Sequence, residues 1–102
     1  MESPLPRKKQ IAKALRALAP LVPYYDAQGI CALALRPHMR NLSPERAIWL
    51  ATLAYLRHRY SDYDQLRDAS YGKEASRFFI RAQINDVLIR WQSVRFLSDD
   101  EQ

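Results

Sequence analysis

Between Ser43 and Arg59 the sequence writes one helix that is apolar almost all the way round, and only a fold that encloses it on several sides can accommodate it. Ser43-Pro44-Glu45 supplies an N-cap, a proline at the first helical position and an acid in the first turn, where the helix dipole favours negative charge. Ile48, Trp49, Leu50, Leu53, Ala54, Tyr55 and Leu56 then cover most of the circumference, and a helix that is apolar all round is buried all round. Arg57-His58-Arg59 closes it with cations at the dipole's negative end. The rest of the chain has no Val/Ile runs to build strands and only two glycines, Gly29 and Gly72. The predicted fold is all-α: a compact orthogonal array of about five helices around this buried central one.

The neighbours of that helix follow from periodicity. Residues 1–6 read as a disordered lead, held extended by Pro4 and Pro6. A basic amphipathic helix occupies Arg7 to Leu18, within the segment 7–20. Ile11, Leu15 and Leu18 form its apolar side, and Lys9, Lys13 and Arg16 a second stripe opposite. The helical core then spans 21–93. Its first helix runs from Pro23, read as the first helical residue, to Arg36, buries Ala27, Ile30, Cys31 and Ala34, and is stopped by Pro37. After a loop to Leu42 and the central helix, Ser61 caps a short helix from Asp62 to Ser70, and Gly72 is read as its left-handed terminator. The last helix, Lys73 to about Gln92, is expected to bury Ala75, Phe78, Phe79, Ala82, Val87, Leu88 and Trp91, with Asp86 and Arg90 an exposed pair. Trp49 and Trp91 are expected in one core. Residues 94–102 read as a fraying acidic tail.

Charge and cysteine usage narrow the function classes. A chain of 102 residues holds one core. The net charge of +5 is uneven, with basic ends around an acidic stretch from Ser61 to Ser76, which suggests a face that meets phosphate. The single Cys31 can form neither an internal disulfide nor a four-cysteine metal site, which fits a reduced, cytoplasmic home. The longest uncharged run in the central helix, Ala47 to Leu56, is far short of the ~20 residues that span a bilayer, so no membrane association is expected. Two glycines cannot make a phosphate-cradling loop, and no H-E-x-x-H, G-x-S-x-G or Cys-His pair at metal spacing occurs. No catalytic residue, no metal and no cofactor are expected.

From Leu42-Ser43-Pro44 onward the chain carries a distinctive set of residues: Arg57-His58, Ser61-Asp62-Tyr63-Asp64, Leu66, Gly72, Ala75, Arg77, then Val87-Leu88 and Trp91, with Tyr24-Tyr25 as an aromatic lead-in. Over roughly Leu21 to Trp91 this resembles a family catalogued as domain of unknown function 2293. The resemblance implies a helical domain and nothing about activity. Arg67 departs from its pattern, which has an apolar residue after Leu66.

Two residue groups remain as candidate sites. Arg57, His58, Tyr63, Asp64 and Arg77 have spacings that core packing does not require, and each has a complement among the others. They are expected to form a half-buried polar cluster joining the last three helices. His58 with Asp62 and Asp64 could serve as a base or hold a cation, but Asp62 and Asp64 at i, i+2 do not share a helix face. Lys9, Lys13 and Arg16, with the second stripe Lys73, Arg77 and Arg81, are the candidate nucleic-acid contacts, through phosphate and without sequence preference. The favoured reading is a small non-catalytic basic helical module that contacts nucleic acid. The alternative is a helical protein-interaction or self-association domain, which requires an exposed apolar patch.

Overall fold

A computed structural model describes residues 5–98, and among them the only regular elements are helices. They are α1 (Arg7–Leu18), α2 (Tyr24–Ala34), α3 (Pro44–Arg59), α4 (Tyr63–Asp68) and α5 (Lys73–Arg90), with a single 3₁₀ turn at Pro37–Met39. α3 touches each of the other four α-helices, so the helix that is apolar all round is the centre of the array. Its start is as the sequence indicates: Ser43 Oγ accepts the Arg46 N–H at 3.2 Å, and Pro44 stands at the first position. Ala47, Ile48, Trp49, Ala51, Thr52, Leu53 and Leu56 are all buried along it. Trp49 and Trp91 share one core, at 4% and 5% exposure.

Several boundaries differ, each for a local reason. Pro23 is extended (φ −62°, ψ 148°) and precedes α2 as its N-cap instead of opening it. α2 ends at Ala34 because Pro37 forces Arg36 out of the helical region (φ −65°, ψ 151°). Gly72 is not a left-handed terminator: at φ −67°, ψ 166° it is the N-cap of α5. The left-handed position is Ser70 (φ 74°), where the Tyr71 N–H reaches Leu66 O and the Ser70 N–H reaches Arg67 O, both at 3.0 Å. α5 ends in the same motif two residues past Arg90, with Gln92 at φ 54°. Ser61 does not cap α4 from the N-cap position; its hydroxyl donates to Arg57 O at 2.5 Å and accepts from Tyr63 N at 3.3 Å. Exchanging the two residues, Ser70→Gly with Gly72→Ser, relieves the left-handed strain and supplies α5 with a hydroxyl cap. It is expected to raise stability by about 0.5–1 kcal/mol, read from the shift of the urea midpoint.

α5 is rotated relative to the expected packing. Val87, Leu88 and Trp91 are buried, but the rest of its inward stripe is Ser76, Ile80 and Ile84. Ala75, Phe78, Phe79 and Ala82 face outward, Phe78 at 60% and Phe79 at 56% exposure.

Residues 94–98 do not fray. The Val94 N–H donates to Leu18 O (2.9 Å), beside the bond from Leu21 N–H to Trp91 O (3.1 Å), so a pair of backbone bonds clasps the end of α1 to the end of α5. Asn85 holds Leu97 through both backbone groups, at 2.8 and 3.0 Å, and Leu97 is buried. The Arg95 guanidinium lies 4.2 Å from the centre of the Trp49 ring, a distance at which a cation is attracted to the aromatic face. The lead at residues 1–6, apart from Leu5 and Pro6, and the acidic end of the tail from Asp99 onward lie outside the described residues.

Candidate functional surfaces and the polar centre

α1 presents the most strongly charged surface. The sequence Arg7-Lys8-Lys9-Gln10-Ile11-Ala12-Lys13-Ala14-Leu15-Arg16 contains five cations and no acid. Ile11 and Leu15 bury one side, which turns Lys9, Lys13 and Arg16 outward, all exposed, with Lys8 exposed beside them. Arg7 is committed elsewhere, its Nη2 donating to Met39 O at 3.0 Å. Between α1 and α2 runs a groove of about 620 Å³ with Leu15, Val22, Ala27 and Cys31 in its lining and Lys8 and Arg16 at its edge. Burial pushes the Cys31 thiol up, against a smaller opposing pull from Arg16, so it stays protonated and is a poor nucleophile.

The second basic stripe is not an open face. Lys73 is exposed, but Arg77 is half-buried beside Arg57, and Arg81 lies 5.0 Å over the Phe78 ring. Burial first, and the neighbouring Arg77 charge second, pull the Arg57 guanidinium below its usual range.

The expected polar cluster forms in part. The His58 Nδ1–H donates to Asp64 Oδ1 at 2.9 Å, linking the end of α3 to α4, with both side chains more than half exposed. Tyr63 is buried beneath them; the His58 ring meets its edge at 5.7 Å and the Arg57 guanidinium lies 5.9 Å from its centre. Arg57, His58, Tyr63 and Asp64 therefore come together, with Arg77 beyond Arg57, but Asp64 is a surface partner of His58 instead of a buried one. Residues outside that group also tie α4 to α5. Gln83 Nε2 donates to Asp62 Oδ2 (2.9 Å), while the Asp62 N–H donates to Gln83 Oε1 (3.0 Å).

The best-formed polar centre lies between α2 and the end of α3, around Asp26. Its side chain is buried, and each carboxylate oxygen accepts a phenol: Tyr55 Oη on Oδ1 at 2.6 Å, Tyr60 Oη on Oδ2 at 2.9 Å. The Arg59 guanidinium stands 3.9 Å from Oδ1 and packs over the Tyr25 ring at 4.9 Å. Asp26 lies in the first turn of α2, where the dipole also stabilises its charge. Burial, and then the bond to Asp26, raise both phenols above the ordinary tyrosine range. Gly29 makes room for this arrangement: a Cβ there would sit 2.6 Å from Tyr55 Cε2, on a ring whose hydroxyl is already held. The readable signal is that Asp26, Ile30 and Ala34 fall at i, i+4, i+8 on the buried face of α2, so the stripe begins with a carboxylate.

Among the described residues no group of three or more His, Cys, Asp or Glu is gathered to hold a metal ion, and no helix is long and apolar enough to cross a membrane. A family model described as "Uncharacterized conserved protein (DUF2293)" matches residues 14–92. No curated protein and no solved structure matches the chain.

Proposed function

For a chain that belongs to the DUF2293 family of uncharacterized conserved proteins, we propose a non-catalytic binding module that holds the phosphate backbone of nucleic acid on the outer face of α1. One observation carries this reading: α1 exposes Lys8, Lys9, Lys13 and Arg16 on a single helix that contains no acid. Cations so placed displace counterions from a polyanion, and the gain grows with the number of phosphates met. The contact is with the backbone and carries no base preference, because a flat row of flexible lysines reads charge and not base edges. Lys73, Arg77 and Arg81 contribute less than the sequence suggests, since Arg77 and Arg81 are half-buried against Arg57 and Phe78. Lys8, Lys9 and Lys13 precede the segment the family model matches, so this activity is a property of this chain's leading helix.

The test is a mobility-shift titration with single- and double-stranded DNA and RNA at two salt concentrations. Four phosphate contacts predict a loss of affinity of about a hundredfold between roughly 50 and 200 mM salt on duplex DNA. Lys9→Ala, Lys13→Ala and Arg16→Ala together should remove most of that salt dependence and leave the thermal melt unchanged, because Ile11 and Leu15 do the packing. Absence of a shift at low salt with micromolar protein and every nucleic acid tried would overturn the reading.

A further inference from the structure

The groove between α1 and α2 has two unlike walls. Lys8, Leu15 and Arg16 line it from α1, and Tyr24, Ala27 and Cys31, at i, i+3 and i+7, line it from α2. Among the described residues no acid lines it. Arg16 belongs both to the groove edge and to the cationic row. Round the helix, Lys9 stands about 20° and Lys13 about 60° beyond Arg16, on the side away from Leu15, so the row continues outward from the groove. Tyr24 stands on the opposite wall, 78% exposed, and Gln28 Nε2 donates to its hydroxyl at 2.7 Å, which steadies the ring. A tyrosine so exposed adds little to the core, yet it borders an apolar channel that the cations flank.

Resting on the phosphate contact proposed for α1, we infer that the ligand is single-stranded nucleic acid and that the groove receives its unpaired bases, one of them stacked on Tyr24. A single strand carries phosphates along one edge and bases along the other. With its phosphates on Arg16, Lys9 and Lys13, its bases turn into the groove. The groove volume, about 620 Å³, lies in the range that takes a small organic ligand. A duplex keeps its bases paired and stacked inside its backbone, so it meets the cations alone. Stacking accepts every base, because each has a π face, and the contact stays indifferent to sequence. An acidic amphipathic helix of a partner protein is the less fitting occupant. It would engage Lys8 and Arg16 at the groove edge and leave the exposed Lys9 and Lys13 beyond it unused.

Binding of the full chain to single-stranded and duplex oligonucleotides of one length, compared at roughly 200 mM salt, tests this, since salt weakens the phosphate contacts and spares stacking. The single strand is expected to bind about tenfold tighter than the duplex under that condition. Tyr24→Ala should cost the single strand about tenfold and the duplex nothing, while Tyr24→Phe should bind nearly as the parent does, because the ring stacks and not the hydroxyl. Neither variant endangers the fold, since Tyr24 lies outside the core. An oligonucleotide carrying thiouridine, irradiated in the complex, should cross-link to a groove wall, at Tyr24 or Cys31. Three results would each overturn the groove assignment and leave the α1 contact standing. They are a duplex held as tightly as the single strand at that salt, a Tyr24→Ala variant that binds single strands like the parent, and cross-links that miss both groove walls. A chain that shifts no nucleic acid at low salt removes the α1 reading itself, and the groove assignment with it.

Discussion

Trp49→Ala is expected to remove about 3–5 kcal/mol of stability, most of what a domain of this size has to lose. The ring is 4% exposed in the middle of α3, the helix that touches all the others, so the void left behind has no single neighbour able to fill it. The substitution also removes the surface on which the Arg95 guanidinium rests, 4.2 Å away, and with it one hold on residues 93–98. Urea unfolding followed by far-ultraviolet circular dichroism measures the loss. A decrease below about 1.5 kcal/mol would mean that the site collapses freely and that α3 is not the rigid centre of the array.

Asp26→Ala ranks second, at about 3–5 kcal/mol, from two charge-assisted bonds of roughly 1.5–3 kcal/mol each, less what relaxation recovers. It leaves the Tyr55 and Tyr60 hydroxyls without the acceptor they share and Arg59 without its nearest carboxylate. Tyr55→Phe and Tyr60→Phe should each cost less, because each leaves Asp26 one phenol. A double-mutant cycle between them should show coupling, since both bonds end on one group. The same centre sets an alkaline limit. Both phenols titrate higher in the folded chain than in the unfolded one, where tyrosine loses its proton near pH 10. Their contribution is therefore complete below about pH 10 and is lost as pH rises from there towards the raised folded values. Melting temperature against pH should fall more steeply above pH 10 in the parent than in Tyr55→Phe.

The central helix and the order of the elements were legible because their signals agree. Ser43-Pro44-Glu45, the apolar circumference and the closing cations all describe one helix. α5 misled because aromatic size outweighed register. Phe78 and Phe79 look like core, while the real inward stripe opens on Ser76, a hydroxyl buried at the α5 start. The Asp26 centre was missed for the reverse reason. A carboxylate heads the stripe that continues with Ile30 and Ala34, and its partners, Tyr55 and Tyr60, lie far along the chain on and just beyond α3. Which phenols would reach it depends on how α2 crosses α3, and Gly29 decides that crossing only once Tyr55 is known to lie over it. Local signals carried the helices; partnerships between helices needed the packing.

The two backbone bonds that clasp Leu18 and Leu21 to Val94 and Trp91 order events in time. Almost three quarters of the chain lies between their ends, so they close late, after the entropy of a long loop has been overcome. During synthesis α1 and the helices it packs on, α2 and α3, all precede the residues that close the clasp. While residues 91–94 are still within the ribosome, the cationic helix lacks its clasp in a setting dense with RNA phosphate. The clasp thus secures the C-terminal end of a helix that α2 and α3 already hold, and deleting the residues after Gln92 would leave it without the Val94 bond there.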